Sequence, residues 1–286
     1  MNTLRRFWSS RAAQFASVLL VLVLLIAAFA PWLAPQDPYD LAQLDVMEGR
    51  LPPGAASLDH YRHYWLGTDE QGRDMLSAIF YGLRSSLYVG LMATLCALAL
   101  GSTLGVAAGY FGGWLESLVM RIVDIQLSFP AILIALILIA ALGQGVEKVI
   151  IALIAVQWAY YARTARAAAV VERRKEYIEA AVCQGLSATR ILFRHLLPNC
   201  LPPLMVVATT QIAAAITLEA TLSFLGLGLP ITEPSLGLLI AKGYNYLLSG
   251  HYWISVFPGL ALLLTIISIN LVADRLRDML DPRSVR

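Results

Sequence analysis

Glu179-Ala180-Ala181-Val182-Cys183-Gln184-Gly185, followed by Ile191 and closed by Leu197-Pro198, is a polar stretch set between long apolar runs. Its pattern reads as helix, turn, helix. Ile178, Ala181 and Val182 recur at i, i+3 and i+4, which makes one apolar stripe. Gly185 can take a positive φ and end the first helix, with Leu186 placed to pack back on it. Ser187 is placed to cap a second helix that runs to Leu197, where Pro198 stops it. A helical hairpin this short is marginal in water, so it is expected to dock into something, and the flanking chain says where.

With 58% hydrophobic and 14% charged residues in 286, and a mean hydropathy of +0.68, a soluble domain is excluded. Cys96, Cys183 and Cys200 are scattered, with no CxxC or Cys/His cluster. Neither a disulfide framework nor a metal site is indicated.

The apolar runs divide into six expected membrane helices in an all-α membrane protein. The first lies in the uncharged run from Ala12 to Gln36, after Arg5, Arg6 and Arg11. It carries a cleavage-like Ala28-Phe29-Ala30, but Pro31 follows directly and more apolar spans come after, so an uncleaved span is the reading. The second is placed at Leu87–Tyr110, where Gly101, Gly105 and Gly109 repeat every four residues and let helices approach closely. The third is placed at Gln126–Leu142. The fourth starts near Lys148 and extends past Arg163 and Arg166, whose stems can snorkel. The fifth is placed at Pro203–Phe224 and the sixth at Tyr252–Ala273, with Pro258 kinking the latter near its start. Residues 1–34 form the N-terminal segment with the first span, 35–83 an extracytoplasmic loop, 84–275 the transmembrane domain with a hairpin loop at about 172–198, and 276–286 a tail.

Several polar residues invite attention. Asp69 and Arg73, four apart, suggest an exposed ion pair, and Arg121 and Asp124, three apart on a helix, are placed to offset each other's charge near the membrane boundary. His60 and His63 read as a solvated loop rather than a metal site. In the fifth span, Gln211 and Glu219 are candidates to line a passage; for Glu219 a polar contact between helices is an equal alternative.

Charge sets the orientation. With both termini inside, fifteen of the 21 Lys and Arg fall on the inner side, and Arg50, Arg62, Arg73, Arg84, Lys148 and Lys242 fall outside. The hairpin loop is then cytoplasmic. No GxxxxGK[ST], GxSxG or HExxH occurs, so no P-loop, catalytic residue or zinc motif is assigned. Few ionisable groups interrupt the spans, which argues against an ion-coupled carrier. His251, near the outer edge of the sixth span, has no Ser or Cys motif beside it to build a hydrolase.

The hairpin sequence resembles the cytoplasmic coupling loop of permease subunits in binding-protein-dependent ABC importers, with Glu179, Ala180, Ala181, Gly185, Ile191 and Pro198 at the matching positions. Leu66-Gly67-Thr68-Asp69 with Gly72-Arg73-Asp74, Met120-Arg121 with Asp124, Ser128-Phe129-Pro130, the Ser223–Gly228 run, Pro234–Ile240 and the Asp274–Arg283 tail are similar to C-type subunits of dipeptide and oligopeptide permeases. The resemblance implies a type I ABC importer permease fold with a cytoplasmic coupling helix, in the bacterial inner membrane. It implies as partners a homologous permease in a heterodimer, two ATPase subunits that bind the ATP, an extracytoplasmic solute-binding protein and membrane lipid. No cofactor is expected in this chain, and no nucleic acid. Di- and oligopeptides are the implied cargo; nickel chelates, opines and glutathione are carried by similar subunits.

Overall fold

Backbone polar groups in lipid are satisfied within helices, and helices make up most of this chain. The computed structural model describes residues 11–38, 40, 44–58, 61–230 and 233–280. Arg5, Arg6, His60 and Asp281-Pro282-Arg283 lie outside them.

Helix α1 (Arg11–Ala28) continues into α2 (Ala30–Leu33), with Pro31 in the first turn of α2, where a missing amide costs little. Residues 44–58 and 61–74 fold together as a knob. A 3-10 turn at Val46–Glu48 precedes β1 (Ala55–Ala56), which pairs antiparallel with β2 (His63–Tyr64). Glu48 sits at the centre of the knob and accepts from Ser57 Oγ at 2.6 Å, Leu58 N at 2.7 Å and Tyr64 OH. Burial works to raise its pKa, but those hydrogen bonds and Arg62 hold it below the ordinary value.

Helix α3 runs from Met75 to Phe111. It begins at Met75 rather than at Leu87, so part of the segment assigned to the outer loop is helical. Asp74 starts it by accepting from Ser77 N at 2.9 Å, and Met75, Ala78, Ile79 and Leu83 are buried. The charge at Arg84 ends the apolar run but not the helix. Helix α4 (Gly113–Leu127) and α5 (Ala131–Leu142) meet at 95°. The third span at Gln126–Leu142 is therefore corrected: Gln126 and Leu127 belong to α4, and Pro130 forces Phe129 out of the helix between them.

Helix α6 (Val146–Glu172) passes through Arg163 and Arg166 as expected. Its most extensive partner is α3. A Cβ at Gly101 or Gly105 would lie 2.3 Å from the carbonyl oxygen of Trp158 or Ala162, so only glycine permits this approach. Arg163 pairs with Asp124 and Arg166 with Glu116, both on α4. Asp124 thus pairs across helices, with α6 packed against α4, and not with Arg121 on its own helix.

Helix α7 (Glu176–Cys183) and α8 (Ala188–Arg190) form the hairpin. A π-turn at Ile191–Leu196 leads without a break into α9 (Leu197–Phe224). After α10 (Leu236–Tyr244), capped by Ser235, α11 spans Trp253–Leu280. Among the described residues, three helical stretches are long and apolar enough to cross a membrane: α3, Ala188–Phe224 and α11. Counting the bent α4–α5 pair as one crossing gives four.

Candidate functional site: a docked hairpin and a neutral groove

The hairpin is held at three places. Its first helix ends as the sequence suggests. Gly185 has φ +70°, its amide donates to Val182 O at 2.9 Å, and Leu186 N donates to Ala181 O at 3.2 Å. These two bonds are a Schellman closure, and Leu186 packs on the cluster holding Ile178 and Ala181. Ile178 is 2% exposed and Ile191 1%; burying such side chains contributes about 1.5–3 kcal/mol each. They pack with Leu192 and Leu196 against Val106 of α3, Ala165 and Ala169 of α6 and Leu204 of α9. That burial supplies what the isolated hairpin lacks.

Three expectations here need correction. Val182 is 53% exposed and does not belong to the buried stripe; the stripe is continued instead by Ile191 and Leu192 from the returning arm of the hairpin. Pro198 does not stop a helix, since it stands in the first turn of α9, after the π-turn. Leu197 N donates to Leu192 O, five residues back, and this wider winding makes room for the proline ring and its absent amide. Ser187 stands before α8, but its hydroxyl makes no cap bond.

At the hairpin base lies a polar clasp. Tyr177 OH donates to Glu172 Oε1 at 3.1 Å, and Asn199 Nδ2 donates to Tyr177 OH at 3.1 Å. Burial and the Glu172 carboxylate push the Tyr177 phenol up to about 12. Arg173 Nη1 donates to Tyr110 O at 2.7 Å and ties the base to the end of α3. With one face fixed, Glu179, Ala180, Cys183 and Gly185 remain exposed on the other. Beside them opens a depression of about 730 Å³, lined in part by Phe111, Arg174 and Glu179.

A second feature lies among α5, α6, α9 and α11. It is a groove of about 610 Å³ lined by Gln157, Tyr160, Gln211, Thr217, Thr221 and Asn270 among apolar residues. No Asp, Glu, Lys or Arg lines it among the described residues. Gln157 is 3% exposed; its Nε2 donates to Gln211 O at 2.8 Å and its Oε1 accepts from Thr94 Oγ1 at 3.3 Å. Gln211 therefore lines the groove, whereas Glu219 does not. Glu219 is fully buried and accepts from Ser86 Oγ and Ser223 Oγ, each at 2.8 Å. It is a contact between α3 and α9, and the two hydroxyls offset the cost of placing a carboxyl group there.

The exposed ion pair expected of Asp69 and Arg73 is likewise corrected: both side chains are buried, and Asp69 meets Arg73 through its backbone amide and not as an ion pair. Asp69 is 1% exposed and Arg73 4%. Asp69 Oδ1 accepts the backbone amides of Gln71 and Arg73, at 2.8 and 2.9 Å, and folds the loop on itself. The loop is pinned to the far end of the chain by Trp253 Nε1 donating to Thr68 O at 3.1 Å and Tyr246 OH donating to Glu70 at 2.7 Å.

Sequence reasoning passes over Gln157, the Tyr177 clasp and Arg173. For Gln157 a signal is present, an amide alone in the uncharged run between Lys148 and Arg163. The clasp and Arg173 depend on contacts between segments that no local pattern records.

Comparison with known proteins places these features. Residues 101–286 match the family described as binding-protein-dependent transport system inner membrane component. Residues 2–53 match the N-terminal transmembrane domain of oligopeptide transport permease C. The chain is 37% identical to the di/tripeptide transport system permease protein DppC of Pseudomonas aeruginosa, over 99% of this chain and 93% of that one. It is 36% identical to the glutathione transport system permease protein GsiD of Pectobacterium atrosepticum, over 98% and 89%. In fold it is similar to a chain of the inward-facing MetNI methionine ABC transporter, with a TM-score of 0.57 at 23% identity, over 72% of this chain and 97% of that one. The chain thus belongs to the binding-protein-dependent transport system inner membrane components, the multi-pass permease subunits of ABC importers, and to their oligopeptide C type.

Proposed function

We propose that this permease carries di- and oligopeptides inward, with the hairpin as its grip for an ATPase subunit. The observation that carries the reading is the division of the hairpin into a fixed face and a bare one: Ile178, Ala181 and Ile191 are buried while Glu179, Ala180 and Gly185 are exposed. The peptide cargo is supported by the likeness to DppC, and glutathione, itself a short peptide, by the likeness to GsiD.

In this reading α1–α2, α3, the bent α4–α5 pair, α6, α8–α9 and α11 make six crossings, and the lysine and arginine distribution puts both termini in the cytoplasm. A homologous permease supplies the other half of the passage, with two ATPases inside and a solute-binding protein outside. ATP-driven closure of the ATPases moves the Glu176–Leu197 hairpin as a rigid body. The π-turn joins that hairpin directly to α9, which bears Gln211 on the groove wall. The two states then differ by the contact of the hairpin with its ATPase, the differential interaction that any ligand-driven switch requires. Glu179 supplies a charged hydrogen bond at that contact and Gly185 a close approach. In the assembled transporter, Glu179→Lys and Gly185→Val are expected to abolish peptide uptake while the chain still inserts; normal uptake by both would refute the coupling role.

A further inference from the structure

We infer that Gln211 hydrogen-bonds a carbonyl oxygen of the passing cargo, in a groove wall that does not sort cargo by net charge. The inference rests on the groove being half of the passage. Gln211 lines that groove, and its Nε2 is buried with no acceptor. Buried amide donors are rarely left unmet, so this one is a donor in reserve. The threonines beside it on α9 do not compete for the role. The hydroxyls of Thr210, Thr217 and Thr221 are spent on carbonyls of α9 itself, at 2.8–2.9 Å. Gln157 Nε2 is spent on the main chain of Gln211 and so fixes the place from which that side chain departs. The last torsion of a glutamine is soft, and turning the amide presents Nε2 to the groove at small cost. The matching ligand group is a neutral acceptor, and a peptide backbone offers one at every residue whatever its side chains. A wall without ionised groups neither attracts nor repels a charged side chain passing over it.

The test uses the complete transporter in proteoliposomes, with each dipeptide supplied already bound to the solute-binding protein. A dipeptide is compared with its thioxo analogue, whose C=S is a poor acceptor. The unmodified protein should move the oxo form about three- to ten-fold faster, the worth of one neutral hydrogen bond. Gln211→Leu and Gln211→Met should slow the oxo form and erase the preference. Gln211→Glu should slow anionic dipeptides relative to cationic ones, whereas the unmodified protein treats them alike. Absence of oxo–thioxo discrimination in the unmodified protein overturns the inference without any variant, as does an equal slowing of both forms by Gln211→Leu. The groove itself is tested separately: Ala214→Cys, which also lines it, should lose transport when a bulky thiol reagent is attached. Unimpeded transport there would refute the passage reading rather than the role of Gln211.

Discussion

Arg173 reaches back from the end of α6 and donates from Nη1 to the carbonyl oxygen of Tyr110, at 2.7 Å, in the last turn of α3. The two helices that pack most extensively are thus also joined at the point where the hairpin leaves the membrane domain. The bond is exposed and worth about 0.5–1.5 kcal/mol. Arg173→Gln should therefore leave the fold intact but loosen the hairpin. Hydrogen exchange should rise in residues 176–186, and peptide-stimulated ATP hydrolysis should exceed what uptake accounts for. Unchanged exchange there would deny the tie.

Gly185 turns at φ +70° into open space, and a Cβ at this position would meet nothing within 4 Å. Its requirement for glycine is then conformational and not steric. Gly185→Ala should cost about 1–2 kcal/mol of local stability, and Gly185→Asn distinctly less, since asparagine tolerates the left-handed region. A thermal scan of the purified chain that ranks the two equally would contradict this.

Glu219 is held between Ser86 and Ser223. Removing the acceptor strands two buried hydroxyls at about 1–3 kcal/mol each. Glu219→Ala should lower the melting temperature clearly, and Glu219→Gln, which keeps one acceptor, by less. Restoration by Ser86→Ala with Ser223→Ala in the Glu219→Ala background would show that the loss came from the stranded hydroxyls.

How much of this can be read from residues alone follows from range. The turn at Gly185, the return of Leu186 and the close approach at Gly101 and Gly105 depend on neighbours in sequence or on a short repeat, and they are legible. Pro198 misleads because a proline usually ends a helix, and the π-turn that accommodates it leaves no mark on composition. Pro130 looks like the start of a span because the apolar run continues through it, although the chain turns 95° there. Asp69 and Glu219 are illegible for one common reason. Burial of a charge is decided by segments far away, here Ser86 for Glu219 and the chain around Trp253 for the Asp69 loop.

Burial raises the pKa of Asp69 above its ordinary 3.8, against the opposing pull of two backbone amides, Arg73 and Lys242. The folded chain thus holds this proton more readily than the unfolded one. The stability it contributes is full below 3.8 and is lost as pH rises through the folded value. Asp69→Asn keeps an acceptor for the amides of Gln71 and Arg73 and cannot ionise. The variant should gain on the unmodified chain over the pH range that begins just above 3.8, by about 2–4 °C per kcal/mol. A gap that stays constant over that range would contradict the assignment.

Cys183 is exposed on the bare face of the hairpin, Cys96 is exposed elsewhere and Cys200 is buried. In a Cys96→Ser background, labelling of Cys183 by a membrane-impermeant maleimide can be compared in inverted and right-side-out vesicles, with and without the ATPase subunits. Labelling in inverted vesicles alone, blocked when the ATPase subunits are bound, is the predicted result. Labelling in right-side-out vesicles, or labelling indifferent to the ATPase, would contradict the account.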